Sequence, residues 1–172
     1  MFYGQQDFLT SFMFNIKHFS NHHNILSEFI PHEKNHDIDI NQRDNFGHTI
    51  LMLSIIYSKN ELIKYISNKY TDIIDINKHN YNGRTALMLA VENDCLNTVR
   101  YLCQVFKDTI HVNAQDQTGD TALMIAIRHS NGDIIQCICE ELKEKIEINK
   151  PNKDGYTTFI LAVQYNNNDI VE

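Results

Sequence analysis

Residues 79–102 read HNYNGRTALMLAVENDCLNTVRYL, and most positions have a local physical reason. Asn80-Tyr81-Asn82-Gly83 is turn chemistry, with Gly83 free to take positive φ. Thr85 follows where its hydroxyl can cap a helix start. The next residues, ALMLAVEND, read as a short helix in which Ala90 lets a neighbour approach closely. A polar break near Asp94 separates it from NTVRYLCQVF. Apolar residues there recur at three- and four-residue spacing and form one stripe to be buried. The unit predicted is turn, short helix, break, longer helix and extended return.

The pattern recurs every 36 residues. Gly47, Gly83, Gly119 and Gly155 share a register, and so do Thr49, Thr85, Thr121 and Thr157. Asn41, Asn77, Asn113 and Asn149 recur too, each after a β-branched residue. Ser54, Ala90, Ala126 and Ala162 occupy one helix position, and Leu51, Leu87, Leu123 and Phe159 another. A fixed period of this length marks stacked units, each burying its apolar face on the next.

The string D-x-x-G-x-T-A-L-x-x-A followed by a second helix is clearest in residues 79–102 and in DQTGDTALMIAIRHSNGDIIQCI, residues 116–138. It resembles the ankyrin repeat over about residues 37–172. The resemblance implies an all-α solenoid of stacked helix-turn-helix pairs with short β-turn or hairpin projections. Repeats are expected at about 40–75, 76–111, 112–147 and 148–172, the last incomplete, after a degenerate N-terminal capping helix pair over 1–36. The unit exceeds the family's usual length of about 33 residues. The extra residues fall in KYTDIIDIN, FKDTIHVN and LKEKIEIN, predicting a longer outer helix or a longer return. The family's His in T-P-L-H is replaced by Met52, Met88, Met124 and Ile160, so part of the usual Thr-to-His bracing must be absent. The sequence given stops about one turn into the fourth outer helix, which leaves the last short helix uncovered unless more chain or another body packs there.

A net charge of −7 and a pI near 5.7 argue against a nucleic-acid or anionic-membrane surface. No apolar run approaches the roughly 18–20 residues that span a bilayer. The N-terminus lacks a basic leader and a small-residue cleavage site, so a cytoplasmic or nuclear setting with four reduced cysteines is expected. Cys103 and Cys139 are register equivalents on neighbouring helices about 8–10 Å apart. That separation is too wide for a disulfide, which needs Cα atoms within about 7 Å. No cofactor and no metal are expected. His32-Glu33-Lys34-Asn35-His36 is a formal H-E-x-x-H, but it follows Pro31 in a polar stretch without an apolar helical face. A solvated loop is the favoured reading. A zinc hydrolase using His32 and His36, or an enzyme of which this chain is a fragment, stays as an alternative.

Ankyrin-type repeats present their turn tips and the exposed side of each short helix as one concave surface. By register this surface takes in Asn45, Ile56, Asn82, Asn93, Gln117, Thr118, Lys153, Asp154, Gln164 and Tyr165. The partner-binding candidates singled out are Phe46, His48, Tyr57, Tyr81, Arg84, Glu92, Asp120, Arg128, His129 and Tyr156. Aromatic and Arg side chains dominate interface energetics; the competing reading is that these rings pack on adjacent turns. The function expected is that of a monomeric, non-catalytic protein-interaction module. Frequent Asn and Ile, with two Pro and no Trp, suggest an AT-rich genome and hence a viral or bacterial factor acting on a host protein. A narrower alternative is a mimic of the inhibitors of NF-κB that lacks their D-S-G-x-x-S degradation signal.

Overall fold

The computed structural model describes residues 11–14, 16–18 and 39–165, and among these there are helices and turns but no strand. The chain divides into two compact units, Met1–Asp75 and Ile76–Glu172.

In the first unit, α1 (Ile50–Ile56) and α2 (Asn60–Lys69) form a hairpin. Helical residues 11–14 and the 3-10 turn Ile16–His18 precede it. Phe12, Met13 and Ile16 share a core with Ile40, Ile50, Leu53, Leu62 and Ile66. The rest of the capping pair expected over 1–36 lies outside the described residues.

The second unit repeats the hairpin. Its elements are α3 (Ala86–Glu92), α4 (Leu96–Val105), α5 (Ala122–Arg128), α6 (Gly132–Leu142) and α7 (Thr158–Gln164). Short helices α3, α5 and α7 lie side by side, and α4 packs on α6. Ala90, Ala126 and Ala162, one on each of these short helices, are wholly buried. The architecture is all-α, made of helix-turn-helix pairs joined by projecting turns, as the resemblance implies.

The helix starts follow the sequence expectation. Thr49, Thr85, Thr121 and Thr157 hold extended backbone angles. Each hydroxyl accepts the amide of the third following residue, at 3.3–3.4 Å. Between short and long helices the chain reverses through Ser58, Asp94 and Ser130, all at left-handed φ of 53–55°. The break that corresponds to the one expected near Asp94 turns on Ser130 in the next repeat. Asn131 caps α6 by accepting the Ile134 amide at 3.1 Å, and Gly132 is the first helical residue.

The extra residues of each repeat adopt both expected forms. After α2 and α4 they make a wider return, with Ile74 N–H donating to the Tyr70 carbonyl and Ile110 N–H to that of Phe106, each at 2.8 Å. After α6 they lengthen the helix through a 3-10 turn, Lys143–Lys145.

The periodic asparagines tie these returns. Asn41 donates to the Ile73 carbonyl (2.8 Å) and accepts the Asp75 amide (2.7 Å). Asn77 does the same with Thr109 and His111, at 2.8 and 2.7 Å. Asn113 does so with Lys145 and Glu147, at 2.6 and 2.9 Å. One amide side chain thus satisfies two backbone groups that the irregular return leaves unpaired.

Candidate functional site

Each projecting turn is built by the Asp or Asn that opens it. The side-chain oxygen of Asp44 accepts the Phe46 and His48 amides at 2.9 and 2.8 Å. Asn80 accepts those of Asn82 and Arg84, both at 3.0 Å. Asp116 accepts those of Thr118 and Asp120, and Asn152 those of Asp154 and Tyr156. Backbone bonds close the same loops, such as Asn80 N–H to the Arg84 carbonyl at 2.9 Å. This role escaped sequence reasoning, although the signal was there: Asp or Asn stands at 44, 80, 116 and 152, and both residues favour such turns.

Within the second unit the turns are laced together. Gln117 N–H donates to the Asn82 carbonyl at 3.0 Å, and Lys153 N–H to that of Thr118 at 3.1 Å. The approach is close enough that a Cβ on Gly119, whose φ is +83°, would stand 2.6 Å from the Lys153 nitrogen.

Polar side chains run along the same row. Arg84 pairs with Glu92 on its own short helix and lies 3.7 Å from Asp116, which opens the next turn. Arg128 Nε donates to Asp120 at 2.8 Å, and an Arg128 terminal nitrogen reaches the Tyr165 hydroxyl at 3.5 Å. Asn152 donates its amide to the other Asp120 oxygen at 2.7 Å. Burial pulls the Arg128 pKa down, but the bond and charge of Asp120, with a contribution from Tyr165, more than offset it and leave it raised.

The sequence reading treats Asp120 as a surface position; the structure buries it at 6 % exposure with both carboxylate oxygens bonded inside the chain. Arg84, Glu92 and Arg128 are in ion pairs with partners inside the chain. Tyr81 and Tyr156 project from their turns, 60 % and 38 % exposed, and Tyr165, not singled out from the sequence, is similarly open at the end of α7. His129 is exposed at the end of α5. In the first unit Phe46 stands at a turn tip, 69 % exposed, with its ring tilted against His48 at 6.1 Å. His48 is half-buried and faces Asp44 at 3.4 Å, while Tyr57 closes α1 and is partly open.

The cysteines are free thiols. Burial pushes Cys103 up to about 12, and burial likewise raises Cys95, Cys137 and Cys139. A thiol held protonated is a poor nucleophile at neutral pH. Among the described residues no group of three or more His, Cys, Asp or Glu could hold a metal ion. His32 and His36 lie outside those residues. No described helix is long and apolar enough to cross a membrane.

The family model for ankyrin repeats (3 copies) matches residues 12–116 and 105–172. A comparison with curated proteins returned no match. With the family model spanning most of the sequence, the chain belongs to the ankyrin repeat family.

Proposed function

We propose that the chain acts by binding another protein and not by catalysis, with the projecting turns as its contact surface. Ankyrin repeats are in general protein–protein interaction modules. One observation carries the reading for this chain: Tyr81 and Tyr156 are exposed on turns whose amides are held by Asn80 and Asn152. A ring on a rigid turn loses little freedom on binding, and aromatic anchors supply much of the energy of protein interfaces. In the first unit Phe46 is the corresponding anchor.

The test compares proteins recovered from the native host by the tagged wild-type chain, by Tyr81→Ala/Tyr156→Ala and by Phe46→Ala. Thermal melting serves as the folding control. A partner whose affinity falls about thirtyfold, the size of one hot-spot truncation, while the melting temperature is unchanged would support the reading. Equal recovery of every partner by all three proteins would refute it.

A further inference from the structure

Two register positions carry charges whose signs reverse between neighbouring repeats, and a third changes from charged to neutral. The residue after the turn glycine is Arg84 in one repeat and Asp120 in the next. Its counterpart at the end of the short helix that follows is Glu92, then Arg128. The residue opening the following turn is Asp116, then Asn152. Geometry follows the reversal. Arg84 is balanced by Glu92 and faces Asp116 forward; Asp120 is balanced by Arg128 and takes an amide hydrogen from Asn152 forward.

Asp116 and Asn152 do the same local work, each holding two amides of its own turn. Asp44 does that work in the first unit as well. The turn itself therefore accepts either Asp or Asn. The neighbour discriminates: Asp120 needs a donor 2.7 Å away, which Asn supplies and a carboxylate cannot. Asp116 and Asp120 are both buried, at 8 % and 6 % exposure, so water does little to screen a mismatch.

We propose that the residues after Gly83 and Gly119 are selectors, each of which admits a following turn only if that turn opens with the complementary side chain. Arg84 admits Asp116, and Asp120 admits Asn152. Asp120 is thereby a positioning residue for the turn that carries Tyr156. This polar matching sets which repeats can sit next to each other.

The decisive variant is Asn152→Asp, which preserves the local turn bonds but sets one buried carboxylate against another. Hydrogen exchange of the Lys153 amide, bonded to the Thr118 carbonyl, reports whether the turns remain docked. The Val99 and Phe106 amides in and after α4 report on the rest of the unit. Exchange at Lys153 should quicken about tenfold or more, with Val99 and Phe106 unchanged. Asp120→Arg/Arg128→Glu/Asn152→Asp recreates the arrangement around Arg84 and should return Lys153 to within about threefold of wild type. If that triple variant does not fold, Asp120→Asn/Asn152→Asp, which reverses the polarity of the bond, takes its place with the same criterion. Lys153 protection unchanged in Asn152→Asp would overturn the proposal, as would failure of the folded rescue variant to restore it.

Discussion

Substituting alanine for Gly119 measures how closely one turn is held to the next, and Gly155→Ala is its internal control. Both glycines sit at nearly the same left-handed φ, +83° and +81°. An alanine at either site therefore carries the same backbone penalty, roughly 1–2 kcal/mol. The surroundings differ. At Gly119 the new Cβ meets the Lys153 nitrogen at 2.6 Å and the Asn152 Cα at 3.0 Å; at Gly155 nothing lies within 4 Å. Backbone cannot swing aside as a side chain can, so the neighbouring turn must retreat by most of an ångström. That retreat breaks the Lys153-to-Thr118 bond (3.1 Å) and stretches the Asn152-to-Asp120 bond (2.7 Å). Their loss adds about 2–3 kcal/mol. Gly119→Ala should thus cost about 3–5 kcal/mol against 1–2 for Gly155→Ala. With a urea slope of about 2 kcal/mol per molar, the two midpoints should differ by about 1 M. Gly83→Ala should behave like Gly119→Ala, since its Cβ would meet the Gln117 nitrogen at 2.8 Å. Midpoints for Gly119→Ala and Gly155→Ala within about 0.3 M of each other, at unchanged slope, would show that backbone angle alone governs these positions.

Ser67 is fully buried and its hydroxyl has no hydrogen-bond partner among the described residues, whereas its register equivalents are Cys103 and Cys139. Ser67→Cys should therefore raise stability by about 1 kcal/mol in urea unfolding, and a lower midpoint would contradict the assigned cost. Asn113→Ala should cost about 2 kcal/mol by stranding the Lys145 carbonyl and Glu147 amide. Asn113→Asp, which keeps the acceptor and loses the donor, should fall between the two, and a ranking in any other order would argue against the two-bond tie. Cys103 has its pKa raised from 9.0 to about 12 in the folded chain. Stability from its protonated form is complete below about pH 9 and is lost as pH climbs toward 12, because only the unfolded chain ionises easily there. The urea midpoint should fall over that window in wild type and fall less in Cys103→Ala; equal slopes would remove Cys103 as the cause.

Elements that depend on neighbours in sequence are legible in the sequence itself. Gly83 and Gly119 announce their turns, Thr85 and Thr121 their helix starts, and the apolar stripe of NTVRYLCQVF its buried face, because each acts within one helical turn of itself. What stayed hidden acts across repeats. The period of Asn77 and Asn113 was visible, but their partners stand 32 and 34 residues away in sequence, and a bond to backbone leaves no mark on the partner's identity. The burial of Asp120 was hidden for the same reason: Arg84 and Asp120 alternate in sign as a variable contact surface would. Only the approach of Glu92, Asp116, Arg128 and Asn152 reveals that the variation is paired. The aromatic tips Phe46, Tyr81 and Tyr156 were legible as candidates because a ring beside a turn glycine has little of its own chain to pack against.

The asparagine ties also bear on how the chain is made. Asn41, Asn77 and Asn113 reach forward to partners 32 and 34 residues on. A polypeptide leaving the ribosome N-terminus first can fasten each tie once that short length has cleared the exit, without waiting for the final residue. Order of synthesis and order of assembly then coincide. The apolar surface left bare behind the growing end at any moment is that of about one repeat, which keeps the window for aggregation narrow.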